Sequence, residues 1–289
     1  MTDPLAALRV DPSGLSAAEA RLAQRIAADP TIVVDLAITD LAVLCETSPA
    51  TVARFAQTLG FSGYRQFRME VAQAVSREQA DRERFGIDDE DILADDDAGS
   101  VASKIAYQEM RAIEQTAHGL DPRQVDEIAA LIGAATRTDV FAMGASALAA
   151  VDLYLKLVRI GHTAWHGSDV HLALVQAAQR GPGDVVVGIS HSGTTREVIE
   201  PMEIARAAGA TTVAITNAPD SAITHRADHV LLTKARESPF RIGAMGSRIA
   251  QLAVIDILFT RVVQAHGDSV RTALQRTREV IETHNLGAD

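Results

Sequence analysis

From residue 16 to about residue 77 the apolar positions recur every three or four residues. Beyond residue 139 they gather into short runs, so the chain changes period once. In the first part Leu22, Ile26 and several alanines share one side of a helix that Ser16 and Glu19 open as a capping box. The serine oxygen accepts from the third amide while the glutamate reaches back to the cap. Asp29-Pro30 stops that helix. A short segment from Thr39 or Asp40 to about Cys45 carries Leu41 and Leu44. Ser48 is then a natural N-cap, and Pro49 suits the first helical position. Val52, Phe55, Ala56 and Leu59 fall at i, i+3, i+4 and i+7, one apolar stripe. Gly60 ends this helix, and Ser62 is expected to cap another with Tyr64, Phe67 and Val71 turned inward. The pattern predicts a small all-helical domain over residues 1–77.

After helices expected at 100–118 and 121–135, the period becomes that of strands. DVFAMGAS, HTAWHG, DVVVGIS, TTVAITN and HVLLTK start at Asp139, His162, Asp184, Thr211 and His229. Helix-length segments at 147–159, 169–179 and 195–208, and a short one at 222–227, separate them. Strands apolar on both faces, alternating with helices, predict a doubly wound parallel sheet of five strands. Helices at 247–265 and 269–283 finish the chain. The whole is α/β: an all-α helix-turn-helix bundle over 1–77, an acidic linker and connecting helix over 78–120, and the α/β domain over 121–289. The segment 249–263 spreads Leu252, Ile255, Ile257, Leu258 and Val262 too widely for one core-facing stripe, so it is expected to form part of an oligomer interface.

Charge first obscures and then sharpens this picture. The 289 residues carry 27 Lys+Arg against 38 Asp+Glu, a net of −11, which taken whole opposes nucleic acid and anionic membranes as partners. By segment, residues 1–77 hold 7 basic and 8 acidic side chains, 78–99 hold 2 and 10, and 100–289 hold 18 and 20. Most of the acidity therefore lies in the linker. Between Thr47 and Met69 stand Arg54, Arg65 and Arg68 and no acid, a local net of +3. The single cysteine, Cys45, excludes an intramolecular disulfide framework and reads as a small buried hydrophobe. The first residues lack the basic and apolar regions of a signal peptide, and the most apolar segment is broken by Gln251, Asp256 and Arg261. A cytoplasmic protein with no membrane span is expected.

Two short helices joined by Glu46-Thr47-Ser48 have helix-turn-helix spacing, in which the second helix enters the DNA major groove. With Val52, Phe55, Ala56 and Leu59 in the core, Ala50, Thr51, Arg54, Gln57 and Thr58 face outward beside Thr47, Ser48 and Arg65. Arg54 suits guanine or phosphate, Gln57 suits adenine, and Thr51 suits either phosphate or base. A small bundle with a solvated basic face, or one that binds protein, would show similar stripes. The string SPATVARFAQTLGFSGYRQFR, within a match running from about Leu15 to Ala74, resembles the RpiR family of bacterial transcriptional regulators. That resemblance implies an operator-binding dimer, hence palindromic DNA as partner.

Two further loops stand at the carboxyl ends of expected strands, where open α/β sheets bind ligands. One is Met143-Gly144-Ala145-Ser146, and the other is Ser190-His191-Ser192-Gly193-Thr194-Thr195, directly before a helix. Hydroxyls and a glycine at a helix N-terminus make an anion cradle from free amides and the helix dipole, with no lysine required. Neither loop is a dinucleotide fingerprint or a Walker A loop, and no cofactor is expected. SHSGTT after a buried strand resembles the phosphate loop of the sugar isomerase (SIS) domain, together with Gly181-Pro182-Gly183-Asp184, Ile215-Thr216-Asn217, Ala227-Asp228 and Ser247-Arg248-Ile249-Ala250-Gln251-Leu252. The resemblance implies that Ser146, Ser190, Ser192 and Thr195 bind the phosphate of a sugar or sugar acid, with His191 facing it; Gly144 and Gly193 are weaker ligand candidates, Gly193 allowing a tight turn or close ligand approach. It also implies a regulator of carbohydrate metabolism, dimeric or tetrameric, whose operator affinity follows that ligand.

An isomerase would need a base over the sugar carbons. Glu237 and Arg241, in the loop KARESPFRIGAMGSR, are weaker ligand candidates, and His166 or His171 could approach, but no catalytic glutamate stands in an isomerase context. A sensor without catalysis is therefore favoured over an isomerase or an etherase that carries a DNA-binding appendage. The spacing of His162, His166, His171 and His191 is no zinc pattern, and no metal is expected.

Overall fold

Prolines, caps and the change of period decide where each element begins. The computed structural model describes residues 15–237 and 243–284. The chain divides into two compact units, Met1–Lys104 and Ile105–Asp289.

In the first unit, α1 (Ala17–Ala28) is opened by the Ser16–Glu19 capping box, and Pro30 starts an additional short helix, α2 (Thr31–Asp35). Next come α3 (Ile38–Leu44), α4 (Pro49–Thr58) and α5 (Tyr64–Phe85). The cap of α5 is Gly63, not Ser62, whose amide instead donates to Gln66 Oε1 at 2.7 Å. Leu22, Ile26, Val33, Leu41, Val52, Phe55, Phe67 and Val71 are fully buried together, with Cys45 among them. Phe67 meets Phe55 edge-on at 6.2 Å between ring centroids, a favoured aromatic geometry. The acidic stretch is not free chain. Helix α5 reaches Phe85, and the ammonium of Lys104, near the start of α6 (Ala98–Gly119), donates to Asp91 O at 2.8 Å and Asp96 Oδ2 at 2.7 Å.

In the second unit, α7 (Pro122–Ala134) leads into β1 (Arg137–Ala142), α8 (Ser146–Arg159), β2 (Ala164–His166) and α9 (Val170–Ala177). Then follow β3 (Asp184–Ile189), α10 (Arg196–Ala207), β4 (Thr211–Thr216), β5 (His229–Leu232), α11 (Met245–Ala265) and α12 (Gly267–His284). The five strands are all parallel in the order β2-β1-β3-β4-β5. This is the flavodoxin-like order, with its switch point between β1 and β3. The segment 222–227, expected as a short helix, is a run of turns.

Alternate strand residues feed two cores. Val140, Ala142, Val185, Val187, Ile189, Val213 and Ile215 pack with α7, α8 and α11. Phe141, Val186 and Ala214 point the other way, onto α9 and α10, where Trp165 also packs with Phe141 at 5.9 Å between centroids. Period-two alternation of buried residues is what a sheet covered on both faces requires. The expectation that 249–263 forms an oligomer interface is corrected here: Ala250, Val254, Ile255, Leu258 and Val262 are core residues, and Leu252, Ile257, Phe259 and Val263 pack against them. The helix is apolar on several sides because α7 and α8 flank it, and both contribute to the same core. Among the described residues, no single helix is long and apolar enough to cross a membrane.

Candidate functional site

Helices α3 and α4 stand in helix-turn-helix spacing, separated by residues 45–48. Glu46 turns the chain at φ 51°, and the Thr47 amide donates to Ala42 O at 2.9 Å. Ser48 caps α4: its Oγ accepts from the Thr51 amide at 3.2 Å and lies 2.9 Å from the Thr51 hydroxyl. Thr51 is therefore oriented by the cap. Ala50, Arg54, Gln57, Thr58 and Arg65 are exposed with Ser48, while Thr47 and Thr51 are half-buried. Arg68, counted in the basic patch, is pinned: its Nη2 donates to Val34 O at 2.6 Å.

Local pattern assigns Glu19 only a capping role, and the structure adds a second. Its carboxylate accepts from Ser16 Oγ at 2.6 Å and Ser16 N at 3.0 Å, and also receives Thr58 Oγ1 at 3.4 Å and the Arg54 Nε at 3.7 Å. The bonds from the Ser16 hydroxyl and then its amide hold this carboxyl below its ordinary value near 4.5, burial opposes them, and Arg54 and Thr58 add to the lowering. The signal missed was spacing: Glu19 had no partner in sequence beyond Ser16, whereas Thr58 lies 39 residues away.

In the second unit, the register pairs Ala142 with Ile189, so the loops that leave β1 and β3 lie side by side at the switch point. Ser190 is buried, and its Oγ lies 2.8 Å from Thr195 Oγ1 while accepting from the Gly193 amide at 3.2 Å. Ser192 Oγ lies 3.0 Å from Thr194 Oγ1 at the exposed lip. The His191 carbonyl accepts from the Asn217 amide at 3.2 Å. Thr195 occupies the N-cap of α10 without capping it. The side chain at the cap thus leaves the first-turn amides, and the positive end of the helix dipole, to whatever binds there.

Gly193 holds the loop closed. It sits at φ 66°, and a Cβ there would meet Ser221 Oγ at 2.1 Å and Thr216 Oγ1 at 3.1 Å. Gly144 is also left-handed, at φ 58°, but faces open space. Ser146 begins α8. Its Oγ accepts from the Gln251 amide at 3.0 Å, a partner that the sequence showed as a polar break in an apolar helix and as part of the SIS-like string 247–252.

The remaining candidates separate. The Glu237 carboxylate accepts from the Ser247 amide at 2.6 Å and so fixes the first turn of α11. Arg241 lies outside the described residues. His166 Nδ1 bonds Val140 O at 2.9 Å, His162 Nε2 meets Thr138 Oγ1 at 2.9 Å, and His171 is exposed on α9. Burial pulls the His162 pKa below its ordinary value, with His266 adding to the fall. A separate cleft of about 450 Å³, lined by Gly119, Asp121, Gln124, Thr224, His225 and Leu232 among others, contains none of the expected site residues.

The family description "Helix-turn-helix domain, rpiR family" matches residues 2–78, and "SIS domain" matches residues 131–261. An uncharacterized HTH-type transcriptional regulator of Caldanaerobacter subterraneus subsp. tengcongensis is 36% identical over 286 residues, covering 99% of this chain and 99% of the relative. An HTH-type transcriptional regulator of Haemophilus influenzae is 31% identical over 267 residues, 92% of each chain. Among solved structures, the Vibrio vulnificus NanR protein complexed with ManNAc-6P superposes with a TM-score of 0.62 at 26% identity, over 98% of this chain and 100% of that one. With both family matches in chain order and a relative aligned end to end, the chain belongs to the rpiR family of HTH-type transcriptional regulators and carries a SIS domain as its second part.

Proposed function

We propose that this regulator, acting in the cytoplasm, reads a palindromic operator of carbohydrate-metabolism genes through residues 1–77. A phosphorylated sugar or sugar acid bound within residues 121–289 changes its operator affinity. The observation that carries the reading is the cradle at the switch point. Ser190 and Thr195 stand 2.8 Å apart at an N-terminus whose N-cap side chain makes no capping bond, with Ser192 at its lip and Ser146 at the start of α8. Hydroxyls and amides gathered at a helix N-terminus suit a phosphate. The ligand named in the NanR complex is a phosphorylated amino sugar, which makes that class a candidate here. Sensing is favoured over turnover because the relatives that align over nearly all of this chain carry the names of transcriptional regulators.

A homodimer fits a palindromic operator, since twofold symmetry in one calls for twofold symmetry in the other. Its face is supported by Leu148, Val151, Leu155 and Val158, large apolar residues exposed along α8. Their 3-4-3 spacing is the same in either direction, so two antiparallel copies can place Leu148 against Val158 and Val151 against Leu155.

The test joins both ends of the protein. Phosphorylated sugars are screened by thermal shift, and the best are then titrated against operator binding. The wild type is expected to gain melting temperature and change operator affinity, Ser190→Ala to lose the response, and Arg54→Ala to weaken DNA binding with a shallower salt dependence. Catalytic turnover of a phosphosugar, or saturating ligand that leaves operator affinity unchanged, would overturn the reading.

A further inference from the structure

Gln251 is completely buried on α11, between turns that carry the core residues Ala250, Val254 and Ile255. Its amide nitrogen donates to Ser146 Oγ at 3.0 Å, while its amide oxygen is buried without a hydrogen-bond partner. A buried acceptor left unsatisfied destabilises the fold, and an apolar side chain of the same size would avoid the penalty. Packing therefore gives no reason for a glutamine at this point. Its one bond goes to the serine that heads α8.

We propose that Gln251 is a positioning residue of the anion site. By donating to Ser146 it occupies one lone pair of that hydroxyl and leaves the proton free for whatever lies in front of it. The proposal rests on the phosphosugar reading above and deepens it. A hydroxyl has one proton and two lone pairs. With the Gln251 N–H on one lone pair, the Ser146 proton turns away from the glutamine, toward a ligand. If the amide were reversed, the carbonyl oxygen would take that proton and Ser146 would present lone pairs to the ligand. Only the first orientation suits a group made of acceptors alone, such as a phosphate monoester dianion. The site thereby favours an acceptor over a cation there. The same stretch of α11 is anchored a turn earlier, where the Ser247 amide is held by Glu237 at 2.6 Å. Gln251 thus stands on a helix fixed at both points.

The experiment titrates inorganic phosphate and glucose 6-phosphate into the full chain, by calorimetry and thermal shift. It compares wild type, Gln251→Met, Gln251→Glu, Ser146→Ala and the Ser146→Ala/Gln251→Met double variant. Gln251→Met keeps the volume and removes the donor; it is expected to melt no lower than wild type and to bind phosphate severalfold more weakly. Gln251→Glu, an acceptor carrying charge, is expected to lose about tenfold or more. In the Ser146→Ala background the methionine change should add nothing, because its effect passes through that hydroxyl. Wild-type affinity in the folded methionine variant, or losses that simply add, would overturn the role of Gln251 and leave the phosphosugar reading standing. If the methionine variant does not fold, unchanged affinity in Gln251→Glu overturns it equally. A wild type that binds neither probe defeats the site reading and this inference together.

Discussion

Arg54 on the second helix of the helix-turn-helix directs its Nε at the Glu19 carboxylate on α1, 3.7 Å away, and Thr58 reaches the same carboxylate at 3.4 Å. One acid therefore caps one helix and steadies the outward side chains of another. Holding Arg54 by its Nε leaves both terminal nitrogens available for a guanine edge or a phosphate.

Replacing Glu19 separates its two roles. Glu19→Gln retains a capping side chain but removes the charge beside Arg54. It is expected to lower stability by about 1 kcal/mol at pH 7 and to reduce discrimination at a single base pair of the operator. The folded-state pKa of Glu19 is depressed below the unfolded one. The stabilising effect is therefore fully present above the unfolded value and is lost as pH falls through the folded value. The difference between wild type and Glu19→Gln should shrink below about pH 4.5. Denaturant melts from pH 7 to 3 check this; a difference that does not change with pH would remove the carboxylate from the account.

Gly193→Ala should damage the phosphate loop in two ways. A left-handed residue with a Cβ costs about 1–2 kcal/mol, and the added carbon would lie 2.1 Å from Ser221 Oγ and 2.6 Å from its Cβ. A total destabilisation of about 2–4 kcal/mol is expected, with loss of the thermal response to phosphosugar. Gly144→Ala, which meets no atom within 4 Å, should cost only the conformational part. Equal losses at the two glycines would show that packing against Ser221 is immaterial.

Leu155→Lys tests the exposed stripe on α8. Leu155 is 56% exposed, so the substitution should leave the melting temperature of an isolated subunit little changed. In a dimer it would bury a lysine against its symmetry mate and shift the chain toward monomer. Sedimentation velocity, with operator affinity read alongside, decides it. A lysine variant that sediments like wild type and binds the operator equally well would place the dimer face elsewhere.

The organisation of both folded units was legible in the sequence because it depends on local rules. A capping box, a proline at the first helical position and an i, i+3, i+4, i+7 stripe produced α1 and α4 at their observed places. Strand runs apolar on both faces required helices on both sides of the sheet. The loop 190–195 was legible for the same reason, since hydroxyls before a helix sit where its amides are free. Ser62 was misjudged as a cap because the helix starts one residue later, after Gly63, and the Ser62 amide is taken by Gln66 instead. The apolar helix now seen as α11 misled more seriously. Its composition is that of either an interface or a core, and the choice depends on what packs against it.

Amino-acid order alone thus dictates the two units, the period of each element and the residue types at both candidate sites, all of which follow from neighbours within about a turn or a strand. It took the packed molecule to establish that α11 is core, that α8 carries the exposed stripe, that Glu19 meets Thr58 across 39 residues, and that Gln251 meets Ser146 across 105. Those contacts depend on which helix faces cover the sheet, and no local pattern in the chain encodes which distant side chain a buried polar group will find.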